Sequence, residues 1–192
     1  MMELWVKLVD ANDPHFVWAL REPQITTRFK QRLELNADAT GLTGLWVAEN
    51  VSMSFDSKTG KPSKTNRTDI VYFSDRAQPR LRLTFEFKKV TGAAANCKAY
   101  AQDGMRRFLT GMYAKDEPYG VMVAITADRT NTKIVEKLKQ SLVKKDIANT
   151  LDYIAHATTG ELLHAPSDEL PGVAVFDSQH HRKTDKFDTF RF

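Results

Sequence analysis

The most regular stretch of the chain covers residues 81–90, where Leu81, Leu83, Phe85 and Phe87 alternate with Arg82, Thr84, Glu86 and Lys88. A period of two marks a β-strand, whose successive side chains point to opposite sides. The pattern predicts a strand with one apolar and one polar face, and Glu86 and Lys88 share the polar one. Just upstream, residues 68–73 (Thr68, Asp69, Ile70, Val71, Tyr72, Phe73) read as a second strand that opens with an acid. Residues 42–55 are strand-like around Trp46, Val47, Val51, Met53 and Phe55. The polar, basic stretch between these two strands, 56–67, carries Gly60 and Pro62 and predicts the loop at the tip of a hairpin.

Elsewhere the apolar positions follow a helical period. Ile25, Phe29 and Leu33 recur at i, i+4 and i+8 and predict one buried face of a helix that starts at Glu22. Pro23 suits its first turn, where a missing N–H removes no bond. Before it, 3–9 is a short apolar segment, 10–14 breaks it, and 15–20 predicts a helix. A long helix is expected over 98–114, with Ala101, Met105, Phe108, Leu109 and Met112 on its apolar side. Gly104 and Gly111 each cost about 1 kcal/mol relative to Ala inside a helix, which points to close packing there. Residues 121–126 are continuously apolar, as in a strand covered on both faces. Residues 132–145 form an amphipathic pattern that buries Ile134, Val135, Leu138 and Leu142 and turns most of its lysines outward. A short helix over 149–157, a loop over 160–171, a last strand over 172–176 and a polar, irregular tail complete the reading.

The order is helix, three strands, helix, strand, helix, strand. It predicts an α/β fold with a mixed central sheet flanked by helices on both faces. The expectation is a single domain over 1–192, with a core at 20–127 and a C-terminal helix, strand and tail at 130–192.

Composition narrows the classes. The chain has 192 residues, a formal net charge of +4 and one cysteine, Cys97. A lone cysteine excludes an intrachain disulfide framework and a cysteine-based zinc site. No apolar run reaches the ~20 residues of a membrane span, and the first residues lack a charged leader, so a cytoplasmic protein without membrane contact is expected. The mild positive charge is compatible with a polyanionic partner. His15, His156 and His164 show no metal-ligand spacing. His180 and His181, beside Arg182, read as a surface or packing pair. Cys97 reads as a packing residue.

The chemistry gathers around the two middle strands. An acid on one strand and Glu-x-Lys on the next can hold a hard metal ion with an amine beside it. Taken alone, Glu86 and Lys88 also fit an ordinary ion pair on a solvated face. The residues Asp69 and Glu86-Phe87-Lys88, in the order helix–β–β–β–helix–β, resemble the PD-(D/E)XK, or restriction-endonuclease-like, nuclease superfamily. Three further stretches are similar to its small members: Glu22 to Phe29, with Glu22, Ile25 and Thr26; Tyr100 to Phe108, with Gln102; and the tail Phe176, Ser178, His180 and Arg182. Thr68 stands before Asp69 where the superfamily often has proline.

The resemblance implies a restriction-endonuclease-like αβββαβ core and a metal-dependent nuclease that hydrolyses phosphodiester bonds, with DNA as the expected partner. It implies Mg²⁺, with Mn²⁺ as a substitute, on Asp69, Glu86 and the Phe87 carbonyl, with Glu22 adding to the metal site. Mg²⁺ takes oxygen ligands at ~2.1 Å, typically one or two carboxylates with waters and phosphate. Lys88 would then orient the attacking water or stabilise the oxyanion. Phosphate contacts are expected from Lys61, Lys64 and Arg67 in the basic stretch and from Gln102, Arg106 and Arg107 on the following helix.

Each residue also has a plainer role. Asp69 would cap a strand or pair with Arg67, Glu22 would favour a helix dipole, and Gln102, Arg106 and Arg107 would line a packed or solvated helix face. The other readings are a nucleic-acid-binding module that keeps the fold without hydrolysis, and a subunit of a homodimer or larger complex. Restriction, DNA repair and antiphage defence are the settings the resemblance implies.

Overall fold

The structure is a computed structural model that describes residues 4–5, 7–8, 17–40, 44–55, 62–74, 80–127, 132–182, 184 and 186–192, with the side chains at 39, 40, 50, 52–55 and 62–66 left aside. It divides into two compact units, Met1–Glu86 and Phe87–Phe192. Described residues near the N-terminus, 4–5 and 7–8, have helical backbone, whereas 17–20 is turn rather than the helix expected over 15–20.

In the first unit, α1 (Glu22–Leu35) forms where the apolar period placed it, and Ile25, Phe29 and Leu33 are all buried. The Arg21 amide donates to Gln24 Oε1 at 2.9 Å, so one of the otherwise unpaired groups at the helix start is satisfied. A short helix α2 (Ala37–Thr40) follows. Strands β1 (Leu45–Phe55) and β2 (Pro62–Ser74) pair antiparallel from Leu45↔Phe73 to Phe55↔Pro62. The hairpin is therefore present, but its second strand starts earlier than the sequence suggested. Residues 62–67 are strand rather than loop, and Asp69 lies mid-strand rather than at its opening. Ladder hydrogen bonds belong to the backbone, so a polar run can extend a hairpin once its register is set.

Strand β3 (Leu81–Lys89) pairs antiparallel with β2, from Ser74↔Leu81 to Ile70↔Phe85. Trp46 packs against Tyr72 and Phe85, with ring centroids 4.5 and 6.1 Å away. Thr84, Phe85, Glu86 and Phe87 are buried in succession. The centre of β3 is thus covered on both faces, and the solvated polar face that its alternation predicts is not there.

The strand order of the four-stranded mixed sheet is β1-β2-β3-β4, with β4 at Val121–Ile125. In the second unit, the amide of Val90, just after β3, donates to the Ile125 carbonyl at 2.8 Å. Strand β4 is only partly buried, and Ala124 is exposed, so it is not sealed on both faces as expected. The helix expected over 98–114 begins and ends earlier. It comprises α3 (Ala94–Ala99), a π-helical stretch (Tyr100–Met105) and α4 (Arg106–Leu109). Gly111, with φ +68°, takes the left-handed conformation that follows a helix end. Gly104 lies inside the π-helical stretch, where an added Cβ would collide with Met122 Cε. The close packing expected of that glycine is present.

Helices α5 (Thr132–Leu142) and α6 (Lys145–Leu151) bury Leu138, Leu142, Ile147 and Leu151 with Cys97, Ala101, Met105 and Phe108. Ile134 and Val135 are half-buried, and α6 ends before the helix expected over 149–157 would. The last strand expected over 172–176 is absent. Residues 171–173 form a turn, and Val173 and Val175 are exposed. The tail is ordered instead into a second antiparallel sheet of β5 (Tyr153–Ile154), β6 (Gln179–His181) and β7 (Thr189–Arg191). Phe190 of β7 packs on Phe108 at 5.5 Å, and that burial holds the C-terminal strand in place. Among the described residues, no helix is long and apolar enough to cross a membrane.

Candidate functional site

In the first unit the ladder brings two of the expected acids to neighbouring strands. Ile70 pairs with Phe85, and one step further along each strand stand Asp69 and Glu86. By strand alternation both acids fall on the side occupied by buried Val71 and Thr84. Glu86 is 2 % exposed, and Asp69 is half-buried. An ionised carboxylate at the depth of Glu86 requires a compensating cation or hydrogen-bond donors. Opposite Asp69, β1 is irregular. The pairs Ala48↔Ile70 and Asn50↔Thr68 keep one register, but Glu49 between them has φ +50°. A non-glycine residue in that conformation stores strain. Glu22 lies half-buried in the first turn of α1.

The basic residues of this unit divide. Arg67 is exposed and pairs with Glu49. Lys64 belongs to β2 rather than to a loop, and Lys61 lies outside the described residues.

In the second unit Lys88 is half-buried, and its Nζ donates to the Phe87 carbonyl at 3.0 Å. The oxygen expected to serve a metal thus already faces an ammonium group, although a carbonyl has a second lone pair to offer. The Lys88 stem also passes Gly104, with Cγ 3.8 Å from where a Cβ there would lie. Close by, the Tyr100 hydroxyl donates to the Met122 carbonyl at 3.2 Å, and burial pushes the Tyr100 pKa up. Gln102 is half-buried, and Arg106 is exposed. Arg107 is held against Tyr113 by a 2.6 Å hydrogen bond to its hydroxyl and by its position over the ring. Cys97 is buried, which raises its thiol pKa against the opposing charge of Lys144, as fits a packing residue.

The tail motif is a structural device. Ser178, His180 and Arg182 are spaced by two, and all three are buried. His180 contacts the Leu151 carbonyl through Nδ1 at 2.7 Å and Ser178 Oγ through Nε2 at 2.9 Å. Burial lowers its pKa to about 4, although the Leu151 carbonyl and Asp152 oppose the shift. Arg182 donates to the carbonyls of Glu117, Ala114 and Tyr113 at 2.6, 2.7 and 3.2 Å and lies 4.6 Å over the Phe190 ring. Its burial lowers the guanidinium pKa against the pull of Glu117 and Asp116.

Sequence spacing gave no sign of another group in the second unit. His156 and His164 stack with ring centroids 3.8 Å apart, and His164 Nε2 lies 3.0 Å from Asp168 Oδ2. The three side chains each offer a ligand atom within 4.8 Å of the others. The separations in sequence, eight and four residues, belong to no regular element, so only the fold of the loop brings them together.

Comparison of the chain with family models, curated proteins and solved structures finds no match.

Proposed function

We propose that the chain is a Mg²⁺-dependent nuclease, with Mn²⁺ as a working substitute, that hydrolyses phosphodiester bonds of DNA in restriction, repair or antiphage defence. The observation that carries this reading is the register of β2 and β3. It sets Asp69 and Glu86 one step beyond the Ile70–Phe85 pair, with Lys88 two residues further along the same strand. The proposal also takes the core to be restriction-endonuclease-like, which the helix–β–β–β–helix–β order supports.

The donor set suits a hard cation, since the two carboxylates and the Phe87 carbonyl offer only oxygen. Asp69 and Glu86 would hold the ion, and Glu22 would steady a water. A bound dication would lower the pKa of a water and neutralise charge that builds on the phosphoryl group. Lys88 would turn its ammonium from the Phe87 carbonyl toward the attacking water or the developing oxyanion. Arg106, exposed on α4, would meet backbone phosphate, and Arg67 would do so by exchanging its Glu49 partner for one.

The test is cleavage of single- and double-stranded DNA with Mg²⁺ or Mn²⁺ by the wild type and by Lys88→Ala and Asp69→Ala. Loss of a group that acts on the transition state lowers the rate about 10²-fold or more. Wild-type cleavage that survives both changes refutes the assignment. Salt-dependent DNA binding that is indifferent to EDTA, without cleavage, points instead to a non-catalytic binding module.

A further inference from the structure

The group His156, His164 and Asp168 lies in a pocket of about 210 Å³ whose lining also includes Glu161, Asp177 and Arg191. We propose that this pocket is a binding site for one first-row divalent metal ion of the Zn²⁺ type, held by the two imidazoles and the Asp168 carboxylate.

The argument begins with ligand chemistry. Two imidazole nitrogens and one carboxylate suit zinc, cobalt or nickel, whereas magnesium and calcium prefer all-oxygen sites. Bonds of ~2.0–2.1 Å to a tetrahedral ion put ligand atoms ~3.3 Å apart. The His164–Asp168 separation of 3.0 Å is already close to this, and the whole group lies within 4.8 Å. The remaining adjustment falls on the side chains: the Asp168 side chain is 73 % exposed, and the two rings, stacked 11° from parallel, must turn so that one nitrogen edge of each faces the ion. Three protein ligands leave a fourth position, and the pocket has room there for water or a further donor.

The loop that carries these residues is held from behind. His164 and Asp177 exchange two backbone hydrogen bonds, at 2.9 and 2.8 Å. The Asp177 carboxylate accepts Ser167 Oγ at 2.5 Å and the amides of Asp168 and Glu169 at 2.6 and 3.0 Å, which fixes the turn that presents Asp168. Across the loop, His156 donates its amide to the Glu161 carbonyl at 2.8 Å, and its own carbonyl accepts the Gly160 amide at 2.8 Å. Thr159 Oγ1 lies 3.3 Å from His156 Nδ1. The Thr159 amide also donates to that Nδ1, at 3.4 Å, so both polar groups of Thr159 hold this edge of the ring. Such outer contacts set the orientation and tautomer of metal-bound histidines. The site is separate in residues and in ligand chemistry from the oxygen donors of β2 and β3, and it does not depend on the nuclease reading.

The experiment uses the full, untagged chain after chelator treatment. Titration with Co²⁺, followed by its visible absorption, and competition with Zn²⁺ against a chromophoric chelator should give one equivalent bound. Asp168→Asn keeps the shape of the side chain and removes its charge, and it should weaken Zn²⁺ at least tenfold. His156→Ala should weaken it further, and the double variant should show no stoichiometric binding. Zn²⁺ should raise the melting temperature of the wild type and leave that of the double variant unmoved, because an ion that binds only the folded state stabilises it. Circular dichroism checks that each variant folds, and Asp168→Asn keeps the test intact if His156→Ala does not. Failure of the wild type to bind one equivalent, or equal affinity in the wild type and the double variant, overturns the proposal.

Discussion

Two segments of this chain place polar residues at every second position in buried surroundings, and they put them to different ends. In the tail, Ser178, His180 and Arg182 are 4, 0 and 2 % exposed and bind each other or backbone carbonyls of their own unit. In β3, Thr84 and Glu86 are buried as deeply, yet the series opens outward to half-buried Lys88, and half-buried Asp69 lies on the neighbouring strand. The tail arrangement is closed, with its polar atoms serving the fold. In β3 the series ends at Lys88, which solvent reaches. Alternation of polar residues therefore does not distinguish a latch from a candidate site.

The comparison breaks first at Arg182. Its removal leaves the carbonyls of Tyr113, Ala114 and Glu117 without their charged donor, and Ala114 is held there at φ +47°. A hydrogen bond to a charged group contributes about 1.5–3 kcal/mol, and a buried acceptor left without its donor costs about 1–3 kcal/mol. Arg182→Ala should therefore lower stability by that order in denaturant melts, and a loss under about 1 kcal/mol would show that the tail is no latch.

The counterpart at β3 is Lys88→Ala. It should reduce cleavage about 10²-fold and leave the melting curve little changed, since Lys88 is only half-buried. A variant that unfolds as readily as Arg182→Ala would make Lys88 a packing residue.

Third is the pH dependence of the tail. Burial holds the His180 pKa down at about 4 in the folded chain, against an ordinary value of 6.5. The unfolded chain therefore takes up this proton first as pH falls. The contribution to stability is complete above pH 6.5, declines from there to about 4, and is constant below. The loss over that window is on the order of 3 kcal/mol. In His180→Gln that portion of the pH slope should vanish from melts taken between pH 7 and 4, and an unchanged slope would assign it to other groups.

The smallest effect belongs to Arg67, whose ion pair with Glu49 is exposed. Arg67→Ala should alter stability by about 0.5 kcal/mol or less. If Arg67 meets phosphate, the same variant should lower the salt slope of DNA binding by about one. A slope that does not change removes it from the interface.

The local pattern along the chain was enough to place α1, the β1–β2 hairpin, β3 and α5, because a 3.6- or 2-residue period of apolar positions needs only one buried side to be satisfied. The identities of Asp69, Glu86 and Lys88, and their positions on successive strands, were legible for the same reason. Tertiary packing decided what local pattern could not reach. It extended β2 back to Pro62 through the ladder to β1 and buried both faces of β3. It ordered a polar tail into a sheet because Arg182 and His180 found carbonyls far away in sequence. It also brought His156, His164 and Asp168 to one place. A loop has no period, so such convergence is set by long-range contacts and exists only once the chain has folded.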